Sequence, residues 1–146
     1  MTPYILTKYL HIVALMILVG GLVTEHIMLR SSLPASTMKK LAIIDGIYGF
    51  ASLMSLLAGL LLWFKVGKGS EFYTANPALH IKLGLFAIVG LLSIYPTLFF
   101  LKHRKTNAEF TEIPNTIVLI VRCELLLVLI IPLFAVMVAQ GARLAV

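Results

Sequence analysis

Four long apolar runs decide what this chain can fold into. They cover about Tyr4–Leu29, Leu41–Phe64, Leu79–Leu101 and Thr116–Gln140. Each is near or above the ~20 residues that cross a bilayer core as a helix. The runs are continuously apolar, without the alternation of the ~10-residue strands of a membrane barrel. A backbone in hydrocarbon must satisfy its own N–H and C=O groups, which leaves the α-helix. Short connections at 30–40, 65–78 and 102–115 carry Pro34, Gly67, Gly69, Asn76, Pro77 and Pro114. Links this short join antiparallel neighbours. The expected fold is all-α, a transmembrane four-helix up-down bundle forming one domain over residues 1–146.

Composition supports this reading where it bears on solvent. The chain is 60% hydrophobic and 12% charged, against roughly 25% charged in soluble domains. Its net charge of +6 does not indicate a nucleic-acid binder. The basic residues sit at the ends of the apolar runs, as at Lys39-Lys40 and Lys102-His103-Arg104-Lys105, which is membrane-flanking charge. A single cysteine, Cys123, excludes an internal disulfide and a cysteine-built metal site.

Let side A be the face holding both termini and side B the other. Side A carries Lys8, Lys65, Lys68, Lys82 and Arg143. Side B carries Arg30, Lys39, Lys40, Lys102, Arg104, Lys105 and Arg122. The excess of basic residues on side B places that side in the cytoplasm and both termini in the periplasm of a bacterial inner membrane. Pro96 and Pro132 lie within spans and are expected to kink them. Gly20, Gly21, Gly59, Gly84 and Gly90 are expected to let helices approach closely.

Polar residues inside a span cost free energy and mark function by default. On side A, His11 lies about two turns inside the first span, and the run from Leu10 to Val19 holds no other strongly polar residue. His80 and Lys82 open the third span, which runs in the same direction as the first. Neutral imidazole is an axial ligand for haem iron, and two such residues could clamp a planar macrocycle between helices. Lys82 could snorkel to a haem propionate.

On side B a second group gathers Glu25, His26, Arg30, Asp45, Arg122 and Glu124. Arg122 has the donors to pair with Glu25 or Asp45. The cluster reads as an ion-pair network locking helices, as a proton route, or as the polar end of a quinone or porphyrin cavity. His103 belongs to the basic belt of side B and receives no chemistry.

The stretch Tyr9-Leu10-His11-Ile12-Val13-Ala14 resembles the first-helix motif of HemJ-type protoporphyrinogen oxidases and their CopD-like relatives. His80-Ile81-Lys82-Leu83 resembles the third-helix motif of the same group. Over almost its full length, with Thr24-Glu25-His26 and Ala75-Asn76-Pro77, the chain is similar to a small family of bacterial four-helix membrane proteins, DUF2214-like. The resemblance to the oxidases implies haem b on His11 and a functional role for Lys82. Where those oxidases carry tryptophan three residues after each of these positions, this chain has Ala14 and Leu85.

The leading expectation is therefore a haem-b-binding membrane redox protein, with a HemJ-like oxidoreductase as the implied enzyme. His11 is the axial ligand, His80 the second ligand or a nearby polar contact, and Lys82 the propionate partner. The electron partners would be a quinone, a porphyrinogen or an oxygen species. Two other classes compete: a CopD-like metal transport or handling protein, and a cofactor-free scaffold or assembly subunit. Six methionines are present, but none forms a close Met-x-x-Met cluster for soft copper. The expected partners are the lipid bilayer and a quinone or porphyrin, and self-association into a homo-oligomer is left open.

Overall fold

Both ends of the first helix show why the chain turns where it does. Thr2 accepts a hydrogen bond from the Ile5 N–H through its side chain, and Pro3 takes the first helical position, where a missing N–H costs nothing. From there α1 runs Pro3–Met28. A computed structural model describes residues 2–140. Arg143, counted above toward side A, lies outside the described residues.

After α1 come β1 (Ser32–Pro34) and α2 (Ala35–Leu61), which continues as a π-helical turn over Leu62–Val66. A short α3 (Ser70–Thr74) and a long α4 (Pro77–His103) follow. The last described elements are β2 (Phe110–Glu112) and α5 (Asn115–Gln140). Asn76 caps α4, its side-chain oxygen accepting from the Ala78 N–H at 3.0 Å, and Pro77 again stands at the first position.

Helices α1, α2 with its π-helical extension, α4 and α5 are each long and apolar enough to cross a membrane. α1 packs chiefly on α2 and α4 on α5, and the two hairpins close through α1 against α5 and α2 against α4. The result is an all-α four-helix bundle. Its interior is built from Leu18, Leu22, Leu41, Tyr48, Val89, Phe100, Ile117, Val121 and Val128. Its outside is equally apolar, with Met16, Ile27, Phe50, Leu91, Leu98 and Leu129 well exposed. A helix that is hydrophobic all round needs lipid where it lacks a protein neighbour.

The connections differ from the expectation in one respect. α2 begins at Ala35, six residues before Leu41, so the first link is shorter and stiffer than the span boundaries suggest. β1 pairs antiparallel with β2, Leu33 opposite Thr111, which ties the α1–α2 link to the α4–α5 link on side B. The Ile113 N–H to Ser31 oxygen bond, 2.9 Å, extends this tie. α4 and α5 are each continuous through Pro96 and Pro132. Of the five glycines expected at close approaches, Gly20, Gly84 and Gly90 have open space where a side chain would stand. Only Gly21, against Tyr48, and Gly59, against His11, sit at contacts.

Candidate functional site

The structure divides the polar residues into an apolar cleft near side A and a group of carboxyls toward side B. The cleft holds about 480 Å³ of empty space, its open mouth included. His11 of α1 stands at one wall. Ser55, Gly59 and Trp63 line the wall of α2, and Lys82 and Phe86 that of α4. Position His11 is eight residues into α1, ~12 Å along its axis.

The imidazole is held by α2. Its Nδ1 lies 2.8 Å from the Ser55 carbonyl oxygen, with the Ser55 hydroxyl at 3.4 Å. A carbonyl oxygen only accepts, so Nδ1 carries the hydrogen and donates it. Neutral imidazole then has its lone pair on Nε2, and both contacts above leave that atom for a ligand. A backbone carbonyl that fixes ring and tautomer in this way is the usual support of a metal-binding histidine. Gly59 makes the approach possible. A Cβ built there would stand 3.3 Å from the ring carbon Cε1 and 3.7 Å from Nδ1. Ser55 and Gly59, four residues apart, present one face of α2 to the ring.

On α4 the residues Leu79, Lys82, Leu83 and Phe86 form the helical stripe that faces the cleft. Lys82 lies within electrostatic reach of His11. The expectation that His80 joins them is corrected here. His80 is exposed, and its Nε2 donates to the Thr74 carbonyl oxygen at 2.9 Å. Two residues along a helix turn by ~200°, so His80 and Lys82 cannot both face the cleft. His80 instead ties α3 to α4, its ring edge-on to Trp63 at 6.4 Å. Trp63, in the π-helical turn, donates its Nε1–H to Thr74 Oγ1 at 3.0 Å and puts an indole at the cleft. Trp63 and Phe86 thus place two aromatic rings at the cleft.

Toward side B, Glu25, Asp45 and Glu124 are buried, each 1–3% exposed. They come from α1, α2 and α5. Asp45 and Glu124 lie within electrostatic reach of Glu25. Thr97 of α4 donates to Asp45 Oδ1 at 2.9 Å, and the Tyr48 hydroxyl points at Glu124 Oε2 from 3.4 Å. The Oε1 atoms of Glu25 and Glu124 are buried with no hydrogen-bond partner among the described residues, as is His26 Nδ1.

The expected pairing of Arg122 with Glu25 or Asp45 is also corrected. Arg122 is exposed, as is Arg30. Val121, Glu124, Val128 and Ile131 are the inward stripe of α5, and Arg122 lies two residues from Glu124, on the opposite face. Its stem is long enough to carry the guanidinium along the helix to the side-B interface. Among the described residues no three His, Cys, Asp or Glu side chains converge as a metal-ion site. Cys123 is a free, exposed residue.

The comparison with known families is decisive at the level of the whole chain. A family described as a predicted membrane protein, DUF2214, matches residues 4–142. The chain belongs to that family. Comparison with curated proteins and with solved structures found no match. Membership of DUF2214 and the four apolar helices agree on a membrane protein seated in a lipid bilayer. The likeness to the oxidases rests on the two short helix motifs alone. Ser55, Trp63, Tyr48 and Thr97 carry no site expectation from the sequence, and Gly59 carries one only as a position of close approach. The signal for Ser55 and Gly59 was present as a small polar residue and a glycine four apart inside an apolar span.

Proposed function

We infer that this DUF2214 protein binds a b-type haem in the side-A cleft, with His11 Nε2 as its axial ligand, and serves as a membrane redox protein. The observation that carries the reading is the hydrogen bond from His11 Nδ1 to the Ser55 carbonyl, which leaves Nε2 as a free lone pair in an apolar cleft. Haem bound there supplies reversible one-electron chemistry at iron, with a quinone, a porphyrinogen or an oxygen species as the electron partner. The protein's own residues set the surroundings. Ser55 orients the imidazole and fixes its tautomer. Gly59 leaves room for the ring. Trp63 and Phe86 supply apolar wall. The Lys82 ammonium is the cation available to a propionate. One protein ligand is assigned, since the Nε2 of His80 is already engaged with Thr74.

The test is a titration of the purified protein with hemin in detergent, followed by absorbance and iron analysis. Stoichiometric binding with a Soret band that shifts on reduction is expected for the wild type. His11→Ala is expected to lose most of that binding while still inserting, because removing an imidazole makes the span more apolar. Retention of full binding by His11→Ala would overturn the ligand assignment. Copper in place of iron would favour metal handling, and neither metal would favour a scaffold.

A further inference from the structure

We propose that Glu25, Asp45 and Glu124 form a proton-exchange site inside the bundle, separate from the cleft on side A. Three carboxyls on three helices meet in the apolar interior, each almost fully buried. Every span contributes to their surroundings. α1 brings Glu25, α2 Asp45 and Tyr48, α4 Thr97, and α5 Glu124. Arg122, the basic side chain expected to pair with them, is exposed, as is Arg30.

Two observations point to a ligand beyond the acidity itself. The Oε1 atoms of Glu25 and Glu124 are buried without a donor among the described residues, although both side chains are only 1% exposed. The donors that do reach the group, Thr97 and Tyr48, are hydroxyls and carry no charge. An unpaired carboxylate is strongly disfavoured in such an interior, and a carboxyl without a cation nearby escapes that cost by taking a proton.

The step is a simple exchange. An O–H bond forms on a carboxylate oxygen with a proton from water, and the same bond breaks to return it. No electron moves. Glu25 lies three residues from the end of α1 at Met28, ~5 Å from the side-B end of that helix. Asp45 and Glu124 lie ten and nine residues into their helices, ~15 Å and ~14 Å along them. Gly21 of α1 packs on Tyr48 of α2, so Glu25 and Asp45, each about one turn further toward side B, lie at a similar depth.

The experiment is infrared spectroscopy of the full chain in lipid nanodiscs, at neutral pH in H2O and D2O. The chain has six acidic residues, and the other three, Glu71, Glu109 and Glu112, are exposed. A protonated-carboxyl C=O band can thus be assigned to the buried group. The expected result is such a band in the wild type, shifted in D2O, partly lost in Glu25→Gln and in Glu124→Gln, and reduced further in the double variant. Glutamine has nearly the shape of a neutral carboxyl, so these variants should fold, and a thermal melt checks it. A wild-type spectrum without the band overturns the proposal whatever the variants do. So does a band that is undiminished in the folded double variant, or one that fails to shift in D2O. Collapse of the band on adding sodium or potassium chloride would instead assign a metal cation to the site.

Discussion

Gly59 offers a direct test of the His11 site, because the structure separates its effect on the helix from its effect on the ring. A methyl group at this position would stand 3.3 Å from His11 Cε1 and 3.7 Å from Nδ1. The imidazole must then move by a few tenths of an ångström, away from the wall that holds it. The Nδ1–H···O bond to Ser55, 2.8 Å in the native protein, lengthens. A hydrogen bond of this kind is worth about 0.5–1.5 kcal/mol, so Gly59→Ala should weaken hemin binding roughly two- to tenfold. The helix itself gains from the change, since alanine is favoured over glycine by about 0.8–1 kcal/mol in a helix interior. The melting temperature of Gly59→Ala should therefore stay level or rise while affinity falls. Gly59→Leu goes further, because its side chain occupies the seat of the ring and should abolish binding. Hemin titration by Soret absorbance, run beside thermal melts in the same detergent, reads both quantities. Wild-type affinity in a folded Gly59→Leu variant would refute the placement of the ligand ring against α2.

The remaining predictions address residues whose placement the structure revised. His80→Ala should leave the hemin spectrum and affinity unchanged and lower the melting temperature slightly through loss of the Thr74 contact, and a change from six- to five-coordinate haem would restore His80 as a ligand. Arg122→Ala should change stability by no more than about 0.5 kcal/mol, as expected for an exposed residue, and a loss of several kcal/mol in detergent melts would reveal a buried pair. Thr97→Val, which removes the donor to Asp45, should cost about 1–3 kcal/mol while Thr97→Ser restores most of it. Reporter fusions at the C-terminus should give a periplasmic signal, given the excess of basic residues on side B, and a cytoplasmic signal would invert the topology.

The fold was legible in the sequence because hydropathy acts on whole segments. Twenty apolar residues in a row leave the backbone few options in lipid, and the four spans follow. The structure differs from that reading in the connections, where single hydrogen bonds decide. α2 starts at Ala35, directly after β1, which pairs with β2 across two loops distant in sequence. No local pattern at 30–40 reports a partner at 110–112. The π-helical turn at Leu62–Val66 is equally silent, although it carries Trp63 to the cleft.

The site was legible as far as depth along each helix, and the two corrections come from rotation about the axis. His11 and Lys82 share the cleft, as expected from their entry on the same side. His80 was grouped with Lys82, and Arg122 with the acids, by depth alone. Each lies two residues from the polar side chain that does face inward, Lys82 or Glu124, and a helix turns those positions to opposite faces. Read by stripe instead, α5 joins Glu124 with Val121, Val128 and Ile131, and Arg122 falls outside. That rotation changes the chemistry of side B. With Arg122 inside, the acids would be the anionic half of an ion-pair lock. With Arg122 on the lipid face, three acids share an interior reached by hydroxyl donors alone, and proton exchange is what such a group can do.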